Sequence, residues 1–285
     1  MTPVQFAFLA KFLKDRSGIV IGEDKLYLVE ARLGPIARAK GLASLGDLVS
    51  NLTRGADLDL AAKVVEAMTT NETFFFRDAT PFSLFTDVML PQLMAARARE
   101  KRIRIWSAAC SSGQEAYSLA MLLADRKAQL AGWQVEIYAT DLSSEVVERA
   151  KEGLFSQFEV QRGLPIKLLL KYFAQEGERW RIDKSLRQMV QFRTLNLLRD
   201  FSTLGRFDVV FCRNVLIYFD APTKADILGR IAASMAPDGF LMVGSAEAPD
   251  AITRRFKAHS SRGGLLVKSE GPSIAAAPAL GVAAR

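Results

Sequence analysis

The chain has 285 residues, 49% of them apolar and 24% charged, the balance of a globular protein with room for about two domains. A single histidine, His259, and two widely separated cysteines, Cys110 and Cys212, exclude histidine-rich metal centres, zinc-finger spacing and Ser-His-Asp hydrolysis. The formal charge of +7 favours an acidic partner, and neither a signal-peptide pattern nor an apolar run of membrane-spanning length is found.

Up to residue 70 the apolar positions recur at helical spacing. Phe6, Leu9 and Leu13 form a run that Gly18 stops, and Leu26, Val29 and Leu33 begin a second that Pro35 is expected to interrupt. Leu45, Leu48, Val49 and Leu52 mark a third, and Leu60, Val64, Val65 and Met68 a fourth. The pattern predicts a small all-helical domain over residues 1–75, part of it made basic by Lys25, Arg32, Arg38 and Lys40. Next comes TNETFFFRD, residues 70–78. Thr69 and Glu72 have the spacing of a helix capping box, but that leaves the phenylalanines and Arg77 unexplained. Phenylalanines packed at a seam between two domains, with Asn71, Thr73 and Arg77 turned into a cleft, account for both. The five basic side chains between Arg97 and Arg104 read as a solvated face.

From Arg102 strands alternate with helices. IRIWSA (103–108), VEIYATD (135–141), FDVVFCRN (207–214) and GFLMVGSAEA (239–248) are apolar strands, and helical runs begin near Glu115, Ser143 and Thr223. A further parallel strand is expected at Met189–Phe192. This grammar gives a mostly parallel α/β sheet covered on both faces, with ligands beyond the carboxyl ends of its strands. ERWRIDKSLRQMVQF, from Glu178, alternates like a hairpin turning near Asp183-Lys184, which predicts a small β insertion over about 172–193. The Ala-, Gly- and Pro-rich segment 269–285 reads as a disordered tail, and His259, in KAHSSRGG, as exposed.

The strand ends carry the chemistry. SAACSSGQEAY follows the first strand with Gly113 alone, so the glycine-rich phosphate fingerprint is missing. Glu115 can hold an ammonium group, or simply complement the positive end of its helix. Asp141 can accept ribose hydroxyls, or cap the helix near Ser143. An ammonium and a ribose without a phosphate describe S-adenosylmethionine. Asn196 and Leu197 could read and cover an adenine, and Arg213, Asn214 and Tyr218 follow a fully apolar strand where a site would lie.

TNETFFFRD, IRIWSAACSSGQEAYSLAMLL, IYATDLSSEVVERAKEG, TLNLL and FCRNVLIYFD stand in the order seen in the CheR-type chemotaxis receptor methyltransferases, which the chain resembles from its start to about Lys268. The resemblance implies a Rossmann-like class I methyltransferase domain over 76–268, behind the helical domain. It implies methyl transfer from S-adenosylmethionine to glutamate side chains of chemoreceptors, in the cytoplasm at membrane-bound receptor arrays. Cofactor contacts are implied at Asn71, Thr73, Arg77, Glu115, Asp141, Asn196, Leu197, Arg213 and Asn214, with Arg77 and Tyr218 at the reacting centre and no metal. The basic helical domain, through Lys25, Arg32, Arg38 and Lys40, would dock the acidic receptor bundle. Gln114 and Ala116 replace the family's usual Glu and Pro, which would loosen the turn before Glu115. The region Glu178–Lys184 is short beside members that grip a receptor's C-terminal peptide, which argues against such a tether. Other readings are a methyltransferase for nucleic acid or small molecules and a cofactor-binding adaptor without activity. A stacking surface for single-stranded nucleic acid is missing.

Overall fold

The computed structural model describes residues 1–247, 253–261 and 263–269. Four helices open the chain: α1 (Pro3–Ser17), α2 (Leu26–Ala39), α3 (Leu45–Arg54) and α4 (Leu58–Met68). Side-chain oxygens of Thr2, Ser44 and Asp57 accept from the first-turn amides of α1, α3 and α4, and left-handed Gly18 ends α1. Phe6, Leu9, Leu13, Val29, Leu33, Leu48 and Val64 share one buried core. Pro35 does not interrupt α2. It costs the helix one hydrogen bond to the Ala31 carbonyl, but Ala31 and Pro35 both lie on the exposed face, where water can take the donor's place.

Residues 70–78 then cross to the second domain without helix, so the expected capping box is not there. Thr69 instead ends α4, its hydroxyl donating to the Glu66 carbonyl at 2.6 Å. A π-turn, Phe85–Met89, joins α5 (Thr80–Leu84) to α6 (Leu90–Ala96). Among the described residues ten strands follow: β1 (Arg102–Ala108), β2 (Gln134–Asp141), β3 (Leu154–Ser156), β4 (Phe173–Glu176), β5 (Arg179–Ile182), β6 (Val190–Thr194), β7 (Phe207–Cys212), β8 (Met235–Val243), β9 (Phe256–Ala258) and β10 (Leu265–Lys268). Between them run α7 (Gln114–Ala124), α8 (Ser144–Glu152), α9 (Gln157–Gln161), α10 (Ile166–Tyr172), α11 (Lys184–Met189) and α12 (Ala221–Ala233).

Seven strands form the central sheet in the order β6-β2-β1-β7-β8-β10-β9. The first five are parallel neighbours, and β10 and β9 are antiparallel. Separate apolar clusters cover the two faces: one gathers Ile105, Tyr117, Phe192 and Phe211, the other Trp106, Phe207, Val210 and Leu228. The small second sheet is three-stranded, β3-β5-β4. Its hairpin turns at Gly177-Glu178, not at Asp183-Lys184. Gly177, with φ of 60°, supplies the left-handed residue a two-residue turn needs, whereas the Asp183 carboxylate accepts from the Ser185 amide and starts α11.

The phenylalanine run joins a different seam from the one expected. Phe75 is fully buried against Phe155 and Phe173, with ring centroids 5.0 and 5.7 Å away, and Phe76 meets Phe82 at 5.3 Å. Phe74 lies between the guanidinium groups of Arg162 and Arg77, 4.5 and 5.5 Å from its centroid. The run therefore pins the segment to the central sheet and the small sheet, not to the helical core. We expect Phe75→Ala to destabilise the protein by about 3–5 kcal/mol in urea unfolding, the cost of an emptied aromatic core position.

Two surface expectations also change. Arg97 is not a solvated charge but joins α6 to Asp208 and Asp238, and Arg102 and Arg104 both pair with Glu136. His259 is half-buried, its ring against Phe240 and its Nδ1 facing Ser261, and burial lowers its basicity. The tail lies outside the described residues beyond Ser269. Among the described residues no helix is long and apolar enough to cross a membrane, and no cluster of His, Cys, Asp and Glu could hold a metal.

Candidate active site

The strand order turns back between β1 and β7, the place where open α/β sheets bind ligands. Past the ends of β1, β2, β6 and β7 lies a cleft lined by Asn71, Thr73, Arg77, Glu115, Asp141, Asn196, Leu197, Arg213, Asn214 and Tyr218. Residues named from five separate stretches of sequence thus meet in one place. The helical domain closes one side: Ser17 and Ile19 line the cleft, the Val20 amide donates to the Tyr218 carbonyl at 2.9 Å, and the Asn196 amide donates to the Arg16 carbonyl at 2.7 Å.

The turn after β1 is held tightly, without proline. Gly113 has φ of 93° and starts α7, and a Cβ there would come within 3.0 Å of Ala150 and 3.1 Å of the Phe192 ring. Gln114 is buried and accepts from the Ser112 hydroxyl at 2.9 Å, a contact inside the turn that was expected to loosen. Among the described residues six that are not glycine have left-handed backbone: Phe76, Asp78, Lys101, Ala109, Ser111 and Asn214. Ala109, Ser111 and Asn214 line the cleft, and Phe76 and Asp78 flank Arg77. Strain gathered around one cleft marks a functional site.

Glu115 and Arg213 form its electrostatic centre. Glu115 accepts from the Ser107 hydroxyl and from Arg213 Nη1, both at 2.8 Å. The Arg213 side chain is only 2% exposed. Its Nη2 donates to Asp78 at 2.9 Å and to the Arg77 carbonyl at 3.0 Å, and its buried Nε has no partner. Asp141 accepts from the amides of Ser111 and Ser143 at 2.8 and 3.0 Å. Burial pushes its carboxyl up, against the downward pull of those amides. Each of its oxygens keeps a lone pair for a hydroxyl. Arg77 donates to the Glu72 carbonyl at 2.9 Å, and Glu72 pairs with Arg162 at 2.6 Å, which ties the first segment to the loop before α10. Cys110 also lines the cleft, and burial pushes its thiol well above the usual range, which favours the protonated form.

Two family models match this architecture: the CheR methyltransferase SAM binding domain over residues 71–264, and the CheR methyltransferase all-alpha domain over residues 5–69. The chain belongs to the CheR methyltransferase family. It is 42% identical to chemotaxis protein methyltransferase 1 of Pseudomonas aeruginosa over 93% of this chain and 97% of that one. It is 38% identical to chemotaxis protein methyltransferase 1 of Vibrio cholerae, over 93% and 96% of the two chains. The Escherichia coli chemotaxis protein methyltransferase is more distant, at 34% identity over 90% and 88%. The cofactor of this CheR chain is S-adenosylmethionine, and the cleft lies at the join of the two family domains.

Sequence reading missed three residues that shape the CheR cleft. Ser107 bonds Glu115, Asp78 bonds Arg213, and Glu66 of α4 accepts from the amide and hydroxyl of Ser144 at the start of α8. Asp78 sits within the quoted TNETFFFRD, and Ser107 is the hydroxyl at the carboxyl end of the first strand. Glu66 carries no comparable signal, being one acid on a helical face.

Proposed function

We propose that the chain transfers the methyl group of S-adenosylmethionine to glutamate side chains in the cytoplasmic helical bundle of chemoreceptors, forming methyl esters at receptor arrays. The supporting observation is the side-by-side Glu115 carboxylate and Arg213 guanidinium at the strand crossover. Such a pair complements an amino-acid zwitterion: Glu115 takes the ammonium, and the Arg213 guanidinium beside it favours the carboxylate. Asp141 accepts from the ribose hydroxyls. Leu197 covers the adenine, and Asn196 presents its edge from a side chain already fixed by Arg16 and Leu198. Asn71, Thr73 and Asn214 complete the cofactor's enclosure.

S-adenosylmethionine supplies a methyl carbon on a positively charged sulfur, to which a carboxylate oxygen can bond as the carbon–sulfur bond breaks. A glutamate is already ionised at neutral pH, its reference pKa being about 4.3, so no residue has to remove a proton. The opposite charges cancel as the ester forms, so a strong counter-charge at the reacting atoms would gain nothing. Arg77 and Tyr218 therefore act by orienting the incoming carboxylate. Positioning of this kind can supply up to about 7–11 kcal/mol of the barrier.

The helical domain faces the acidic receptor. Of the four cations named there, Arg32 is committed to the Met68 and Thr69 carbonyls, Lys40 to Asp57 and Asp59, and Lys25 to Asp24. Docking by charge would therefore fall first to Arg38, which is exposed. A C-terminal peptide tether is not part of the proposal. With methyl-tritiated cofactor and receptor-bearing membranes, we expect label on receptor protein that alkali releases as methanol. Label that resists alkali, or that enters RNA or small molecules instead, would assign another substrate.

A further inference from the structure

Glu247 follows the end of β8, at Val243, and does not itself line the cleft. The residue is 8% exposed, and among the described residues no cation pairs with its carboxylate. Three backbone amides hold it. Oε2 accepts from Asn214 and from Gly244, both at 2.8 Å, and Oε1 accepts from Ile217 at 3.3 Å. The Glu247 amide in turn donates to the Gly244 carbonyl at 3.0 Å, which closes the turn that carries the carboxylate. Gly244 has to be bare for this: a Cβ would lie 2.7 Å from Glu247 Oε2 and 3.0 Å from the Asn214 side chain.

Two of the three amides belong to the turn that leaves β7 and carries Arg213, Asn214 and Tyr218. Asn214 stands in left-handed backbone at φ 59°, and Ile217 lies within the single 3-10 turn Leu216–Tyr218. Neither amide has a partner within its own short element, and buried amides without partners are costly. A carboxylate can accept from all of them at once. A neutral amide of the same shape turns one acceptor into a donor and sets N–H against N–H.

We infer that Glu247 is a positioning residue that fixes the 213–218 turn, and through it sets Arg213, Asn214 and Tyr218 at the cleft. The catalytic consequence rests on the methyl transfer proposed above; the local order of the turn does not. The test compares full-length wild-type protein with Glu247→Gln. It follows amide hydrogen exchange across peptides 213–218 and 102–108, affinity for S-adenosylhomocysteine by calorimetry, and kcat and KM for receptor methylation. We expect exchange in 213–218 to speed up at least tenfold with 102–108 unchanged, and kcat to fall at least tenfold while KM for receptor stays within threefold. Unchanged exchange in 213–218 overturns the assignment, as does equal acceleration in both peptides, which would make Glu247 a general support of the sheet. Should Glu247→Gln fail to fold, Gly244→Ala displaces the same carboxylate and is expected to give the same local pattern; its absence overturns the assignment equally. A wild-type protein that methylates no receptor defeats the proposed function and leaves the exchange result to stand or fall by itself.

Discussion

Replacing Glu115 by glutamine is expected to weaken binding of S-adenosylhomocysteine by roughly ten- to a hundredfold, with the fold intact. The substitution keeps the side chain's shape and its bond from Ser107, but it removes the charge that faces Arg213 and, in the binding mode proposed above, the ligand's ammonium. A hydrogen bond to a charged group contributes about 1.5–3 kcal/mol, and each 1.4 kcal/mol is about tenfold in affinity. S-adenosylhomocysteine keeps the ammonium and lacks the reactive methyl, so calorimetry with it reads binding alone. Affinity within threefold of the parent protein would take the ammonium contact away from Glu115.

The second large effect is expected at Arg213. Arg213→Ala removes the cation that neutralises Glu115 and reaches Asp78, leaving a carboxylate only 12% exposed without its partner. Breaking a buried pair in this way costs about 3–5 kcal/mol, a large part of the roughly 5–15 kcal/mol that holds a domain together. Urea unfolding should show that loss, and methyl transfer should fall below detection with it. Arg213→Lys separates charge from geometry. One ammonium cannot serve Glu115, Asp78 and the Arg77 carbonyl together, so lysine is expected to recover part of the stability and little of the turnover. Full recovery of both would show that only the charge matters.

The sheet and its ligand-facing residues were legible because they sit where alternating strands and helices must place them. Glu115, Asp141 and Arg213 each follow an apolar strand, and the topology brings strand ends together. Residues that act through the backbone were not legible. Glu247 works by accepting from amides, and the sequence placed it inside a strand over 239–248, whereas β8 ends at Val243 and the chain turns back there. Local signals also misled where tertiary contacts outweighed them. Asp183-Lys184 has turn composition but begins a helix, while Gly177 makes the turn. Three consecutive phenylalanines point in different directions, so they could not all serve the one seam the sequence suggested; Phe75 and Phe76 entered the sheet core and Phe74 stayed between two arginines. Arg97 looked like part of a surface run because its acidic partners, Asp208 and Asp238, lie more than a hundred residues away along the chain.

The left-handed backbone at Ala109, Ser111 and Asn214 also limits how the cleft can change in descent. A branched side chain at such a position costs about 1–3 kcal/mol before any contact with ligand is counted. Glycine and asparagine are the inexpensive neighbours, and both leave the loops short and the backbone close to whatever lies against it. Residues away from these positions escape that constraint. The floor of the cleft drifts within a narrow alphabet.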